Sequence, residues 1–83
     1  MNYHVYMLIS LSKKPVTYVG YTNNLKKRVA LHNINKGAKF TRGRKWILAY
    51  SMSYDSKSKA MSEEYKLKKN YKLRNKIKSN FYK

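Results

Sequence analysis

Tyr3-His4-Val5-Tyr6-Met7-Leu8-Ile9, a short polar connection, and Val16-Thr17-Tyr18-Val19-Gly20-Tyr21 decide the fold of this chain. Both stretches consist of β-branched, aromatic and aliphatic residues, the types that pack on a pleated surface. Between them, Ser10-Leu11-Ser12-Lys13-Lys14-Pro15 reads as a turn, because Pro15 has no N–H to give to a central ladder. So short a connection joins antiparallel neighbours, and the pair is a predicted hairpin.

Downstream, Thr22-Asn23-Asn24 offers an N-cap for a helix expected from Leu25 to about Lys36, with Gly37 as its stop. Ala38 to Lys45 is a basic loop. Trp46 to Met52 forms a third strand, apolar enough to be expected at the centre of the sheet. Asp55-Ser56-Lys57-Ser58 caps a second helix over 57–69, and 70–83 reads as a third helix or a frayed one. The predicted class is α/β of the α+β kind. A small three-stranded antiparallel sheet carries flanking helices in the order β-β-α-β-α(-α), in a single domain over 1–83.

The chain has 83 residues, near the lower size at which one core suffices without staples. It has no cysteine, which excludes disulfides and thiolate zinc sites. Twenty Lys and Arg face three acidic residues, for a net charge of +17. Such a chain repels itself, and a polyanion would relieve the repulsion: DNA, RNA or an anionic membrane surface. An apolar content of 42% and nine tyrosines argue against a disordered basic tail. Charge and aromatics together favour nucleic acid. No apolar run is long enough to span a bilayer, and Met1-Asn2-Tyr3-His4 lacks the basic start of a signal peptide, so an intracellular protein is expected. Tyr21, Tyr50, Tyr54 and Trp46 read as packing groups before base-stacking ones.

Helical spacing singles out two stripes. Leu25, Arg28, Val29 and His32 share one face of the first helix, setting a cation and an imidazole beside apolar anchors. Ala60, Glu64, Leu67 and Tyr71 share one face of the second, which puts Glu64 on the inward side. Glu63 falls instead with Lys59 and Lys66, where a surface ion pair explains it. An inward carboxylate needs a cation, a hydrogen-bond network or a metal. Asp55, Glu63 and Glu64 are the only acids, so an oxygen-ligated Mg²⁺ or Mn²⁺ would draw on them, with waters and a substrate phosphate completing its shell.

His4-Val5-Tyr6 followed by Tyr18-Val19-Gly20 resembles the GIY-YIG nuclease signature. Arg28 follows Tyr18 by ten residues and His32 by four more, as that family's pattern requires, and Glu64 stands for its helix-borne glutamate. Gly37-Ala38-Lys39-Phe40-Thr41-Arg42-Gly43 resembles the loop of its small stand-alone members labelled UPF0213. The chain departs from the signature at His4, which stands in place of Gly, and at Val5 and Val19, which replace Ile. The resemblance implies a divalent-metal-dependent endonuclease acting on DNA, with RNA also open and Mg²⁺ or Mn²⁺ as cofactor. It implies Glu64 as the metal ligand. It also implies Tyr18 orienting or deprotonating the attacking water with Tyr6 beside it, Arg28 stabilising the phosphoryl oxygens, and His32 taking a proton or bonding to Tyr18. Lys39, Thr41, Arg42, Arg44 and Lys68 are the expected nucleic-acid contacts. A late asparagine near the metal has three candidates, Asn70, Asn75 and Asn80. No membrane partner is expected, and the chain is expected to be a monomer or a weak homodimer. Two alternatives stand beside this reading: a basic nucleic-acid-binding module without catalysis, and a ribosome-associated or RNA-structural protein.

Overall fold

A strand buried on both faces must sit between two layers, and β1 (Tyr3–Ser10) is that strand: every residue from Val5 to Ser10 is buried. The computed structural model describes residues 2–81. Residues 1, 82 and 83, the extremes of the predicted domain and third helix, lie outside them. The elements after β1 are β2 (Thr17–Thr22), α1 (Leu25–Asn33), a 3₁₀ turn (Lys39–Thr41), β3 (Trp46–Tyr54), α2 (Lys57–Lys69) and α3 (Tyr71–Phe81). The sheet is antiparallel with the order β2-β1-β3. This is the predicted α+β class and element order.

Period-two alternation sorts β1 between two cores. Val5, Met7 and Ile9 join Val19, Ala60 and Leu67 on the α2 side. Tyr6 and Leu8 join Trp46 on the other, where Val16, Tyr18, Leu25 and Val29 close over them. The apolar stripe of α1 therefore packs as its spacing requires.

Three expectations are corrected. β3 is an edge strand, and the centre belongs to β1. Ile47, Leu48 and Met52 are exposed, because helices cover β1 and leave much of β3 open. A register shift between Met7 and Leu8 loops out Ala49 and turns Trp46 into the α1-side core. Next, α1 stops at Asn33, short of Lys36. Asn35 takes the left-handed conformation (φ 64°), and the Lys36 N–H returns to the Leu31 carbonyl at 2.9 Å. Asparagine thus supplies the helix stop expected of Gly37. Finally, the α2 stripe breaks before Tyr71, which is 65% exposed. Asn70 ends α2 and caps α3, its Oδ1 accepting from the Leu73 N–H at 3.1 Å, so the phase of α2 does not carry through.

The expected caps of α1 and α2 are in place: Asn24 accepts from the Lys27 N–H at 3.2 Å and Ser56 from the Lys59 N–H at 3.1 Å. Among the described residues, no helix is long and apolar enough to cross a membrane.

Candidate active site

The β1–β2 register sets Tyr6 opposite Gly20 and Tyr18 opposite Leu8. Both tyrosines therefore project from the face that α1 covers, at positions diagonal across the ladder. Their ring centroids are 6.4 Å apart. The α1 stripe brings His32 to the same place, 5.8 Å from the Tyr6 ring and 5.0 Å from the Tyr18 ring.

Tyr6, His32 and Thr41 are all 0% exposed and joined in one chain of hydrogen bonds. The Thr41 hydroxyl donates to the Ala38 carbonyl at 2.8 Å. It has a single proton, so towards His32 Nδ1, also 2.8 Å away, it acts as acceptor. The Nδ1 atom then carries the imidazole proton, and Nε2 keeps its lone pair. That lone pair accepts the Tyr6 hydroxyl at 2.8 Å. The network thus assigns one tautomer to His32. Burial, with the Arg28 charge beside it, holds the His32 pKa below its ordinary value, so the ring is kept neutral.

Arg28 lies one turn before His32 and faces both phenols. Hydrogen bonding to Tyr6, outweighing burial, raises the pKa of the guanidinium, and Tyr18 adds to the effect. The Tyr6 phenol is nonetheless pushed up, because burial outweighs the pull of Arg28. Tyr6 is therefore a protonated donor to His32 and not a standing phenolate. Tyr18 is half-buried and reaches a surface groove.

Two glycines make room for this pair. A Cβ on Gly20 would lie 2.6 Å from the Tyr6 hydroxyl oxygen and 2.8 Å from Cζ. A Cβ on Gly37 would overlap the His32 ring. The sequence alone suggested Gly37 as a helix stop, whereas its missing side chain is what admits the imidazole.

The two glutamates of α2 act on different tyrosines, as the helical phase predicts, but a lysine pairs with each of them and not with Glu63 alone. The charge of Glu64 falls on Tyr6, and that of Glu63 falls on Tyr54. Glu63 pairs with Lys66 at 3.5 Å. Glu64 pairs with Lys68 at 3.6 Å, with only 19% of its side chain exposed. Among the described residues no three His, Cys, Asp or Glu side chains form a cluster. A metal here would be held by Glu64 with waters and substrate oxygens. That hard, oxygen-only donor set beside the tyrosines fits Mg²⁺ or Mn²⁺.

Of the expected nucleic-acid contacts, Lys39, Arg42 and Arg44 are exposed. Thr41 is not among them: its hydroxyl is buried between His32 and Ala38, which corrects that expectation. Lys68 faces Glu64 first. His32 bonds to Tyr6, while its contact with Tyr18 is through the rings only. Asn70 is committed to its cap. Sequence reasoning missed Asn33, whose side chain accepts from the Trp46 N–H at 2.7 Å and donates to the Trp46 carbonyl at 3.1 Å. The Trp46 indole in turn donates to the Thr41 carbonyl at 2.9 Å, so α1 and β3 together hold the 3₁₀ turn under His32. No pattern of spacing signals these long-range polar contacts.

The chain is similar to known proteins over most of its length. Residues 2–78 match the model of the GIY-YIG catalytic domain. A UPF0213 protein of Halobacterium salinarum is 52% identical over 52 residues, 61% of this chain and 68% of that protein. A UPF0213 protein of Staphylococcus haemolyticus is 44% identical over 64 residues, 76% of this chain and 78% of its own. The solution NMR structure of a UPF0213 protein from Bacillus halodurans superposes with a TM-score of 0.52 at 36% identity, covering 95% of this chain and 84% of that one.

Proposed function

The chain belongs to the GIY-YIG catalytic-domain family, and from that membership we propose that it is a divalent-metal-dependent endonuclease hydrolysing phosphodiester bonds in DNA. The observation that carries the reading is the meeting of Tyr6, Tyr18, Arg28 and His32 on one face of the sheet, with the charge of Glu64 falling on Tyr6.

In this reading Tyr18, the phenol that reaches the surface, orients the attacking water. The proton leaving that water has an acceptor in the neutral Nε2 of His32, reached through Tyr6. The Tyr6 oxygen gains one proton as its own passes to Nε2, leaving a neutral phenol and an imidazolium. Thr41 holds the Nδ1 proton throughout and keeps the ring aligned. Arg28 neutralises charge that develops on the phosphoryl oxygens, from a guanidinium that stays protonated. Glu64 would hold the Mg²⁺ or Mn²⁺, which would supply Lewis acidity to the substrate phosphate. Lys39, Arg42 and Arg44 grip flanking phosphates without reading bases. The enzyme acts inside the cell, as a monomer or a weak homodimer.

The test is incubation with labelled single-stranded, duplex and branched DNA and an RNA control, each with Mg²⁺, Mn²⁺ or EDTA, beside Glu64→Gln. Metal-dependent cutting that vanishes in the variant supports the proposal. Tight binding with no cutting of any substrate favours the binding-module reading, which the +17 charge alone would also explain.

A further inference from the structure

Phe40 is 52% exposed, one of four exposed aromatic side chains among the described residues. It stands at the rim of the site. Its ring stacks on Tyr18, with centroids 6.2 Å apart and planes at 21°, and leans on the buried Trp46 at 6.2 Å. Two aromatic supports fix its plane, so the exposure is not that of a loose side chain. The Arg44 guanidinium lies over the ring at 5.4 Å. A guanidinium is flat and stacks on π-faces. Its position marks a face of Phe40 that accepts a planar group. Among the described residues, only a long hydrogen bond of 3.4 Å to the Phe40 carbonyl otherwise holds Arg44 there.

From Phe40 and Tyr18 a groove of about 270 Å³ runs past Thr17 and Val19 to Lys68 and Arg74. Its far wall is cationic. Arg74 reaches it from α3, the element that the mechanism does not use. Its guanidinium is held in place by a bond from Nη1 to the Thr17 hydroxyl at 3.3 Å and by the Tyr71 ring, 5.7 Å below. Its Nε is buried and has no hydrogen-bond partner among the described residues. A guanidinium fixed at the wall of a groove suits an oxyanion. An aromatic platform and two cations lining one groove match a base and its phosphate.

We propose that Phe40, Arg74 and Lys68 form a nucleotide subsite beside the cleavage centre, in which one unpaired base stacks on Phe40 and the adjoining phosphate is held by Arg74 and Lys68. The inference rests on the nucleic-acid reading above but not on cleavage. A base stacked there has left its helix, so the strand is unpaired at this point or is opened on binding. Arg44 gives up the ring to the base and turns to a phosphate. Base identity is not read, since every base has a π-face.

The experiment uses the whole chain in EDTA, with a short single-stranded oligonucleotide carrying 2-aminopurine and a blunt duplex of the same sequence. The parent protein quenches the probe in the single strand. Phe40→Ala abolishes the quenching and weakens single-strand binding roughly 10- to 100-fold, the range for one stacked base. Phe40→Trp keeps both, which separates stacking from a folding defect, and a thermal melt of each variant checks the fold directly. Arg74→Gln weakens binding and lowers the slope of log affinity against log salt by about one. Unchanged quenching in Phe40→Ala overturns the proposal. So does an equal loss of duplex and single-strand binding with the fold intact. Quenching that depends on Phe40 without cutting of any substrate leaves the subsite standing and removes the nuclease reading. Cutting by a Phe40→Ala variant that binds like the parent does the reverse.

Discussion

Adding one methyl group at Gly20 tests the site most directly, because it touches the Tyr6–His32 pair without altering either residue. In Gly20→Ala the new Cβ would sit 2.6 Å from the Tyr6 hydroxyl oxygen, where ordinary contact begins at 3.4 Å, so about 0.8 Å must be found. Tyr18 Cε2 closes the other side at 3.2 Å. If the phenol stays, it is overpacked, at a cost of about 1–3 kcal/mol. If it moves, its 2.8 Å bond to Nε2 breaks and two buried polar atoms lose their partner, at about 1–3 kcal/mol for each orphaned group. The two costs are partly alternatives, so a net loss of about 2–4 kcal/mol is expected. For a domain of this size that lowers Tm by roughly 10–25 °C. Thermal melts of the parent, Gly20→Ala, Tyr6→Phe and the double variant form a cycle. The hydroxyl is the nearest atom, so Gly20→Ala should cost at least about 0.5 kcal/mol less when Tyr6 is already Phe. Imidazole nitrogen shifts should show His32 losing its assigned tautomer. Gly20→Ala with an unchanged Tm and an unchanged His32 spectrum refutes the reasoning, and so does strict additivity of the cycle.

Four further outcomes follow from the same geometry. Thr41→Val should cost about 1–3 kcal/mol by orphaning the Nδ1 proton and should slow cleavage. Thr41→Ser should restore both, and the salt slope of DNA binding should stay as in the parent, because Thr41 is buried. Acidification should destabilise the protein through His32, whose folded pKa lies below the unfolded value of 6.5. Between those two values the unfolded chain binds the extra proton, so stability present above pH 6.5 falls as pH drops through the window and levels off below it. Urea melts across that range should show the slope, and His32→Asn should remove it. Glu64→Gln should lower metal-dependent cleavage by roughly 100- to 1,000-fold, while Glu63→Ala cuts normally. The reverse order, measured on one substrate, would mean that the face of α2 has been misassigned. In chemical denaturation Glu64→Gln should shift stability by less than about 1 kcal/mol, since its lysine partner is half exposed.

Much of this protein was legible in the order of its residues. Period-two runs gave the hairpin, helical spacing put Arg28 with His32 and parted Glu64 from Glu63, and the polar stretches Thr22-Asn23-Asn24 and Asp55-Ser56-Lys57-Ser58 announced two caps. These are local properties, fixed within a turn or a strand, and the family signature is itself a set of such spacings. Tertiary structure decided whatever depends on which surface comes to cover another. β3 is apolar enough for the centre of a sheet, yet the helices cover β1 and leave β3 at the edge. Gly37 looks like a helix stop, but Asn35 took that task and Gly37 yields its space to an imidazole from α1. Thr41 lies in a basic loop and reads as a phosphate contact, until the fold buries it under His32 and uses its hydroxyl to fix a tautomer. The partner of His32, the plane of Phe40 and the reach of Arg74 to Thr17 all span long stretches of chain. A hydrogen bond of that kind leaves no periodic trace, because its two ends are brought together only by the packing of elements that each formed for local reasons of their own.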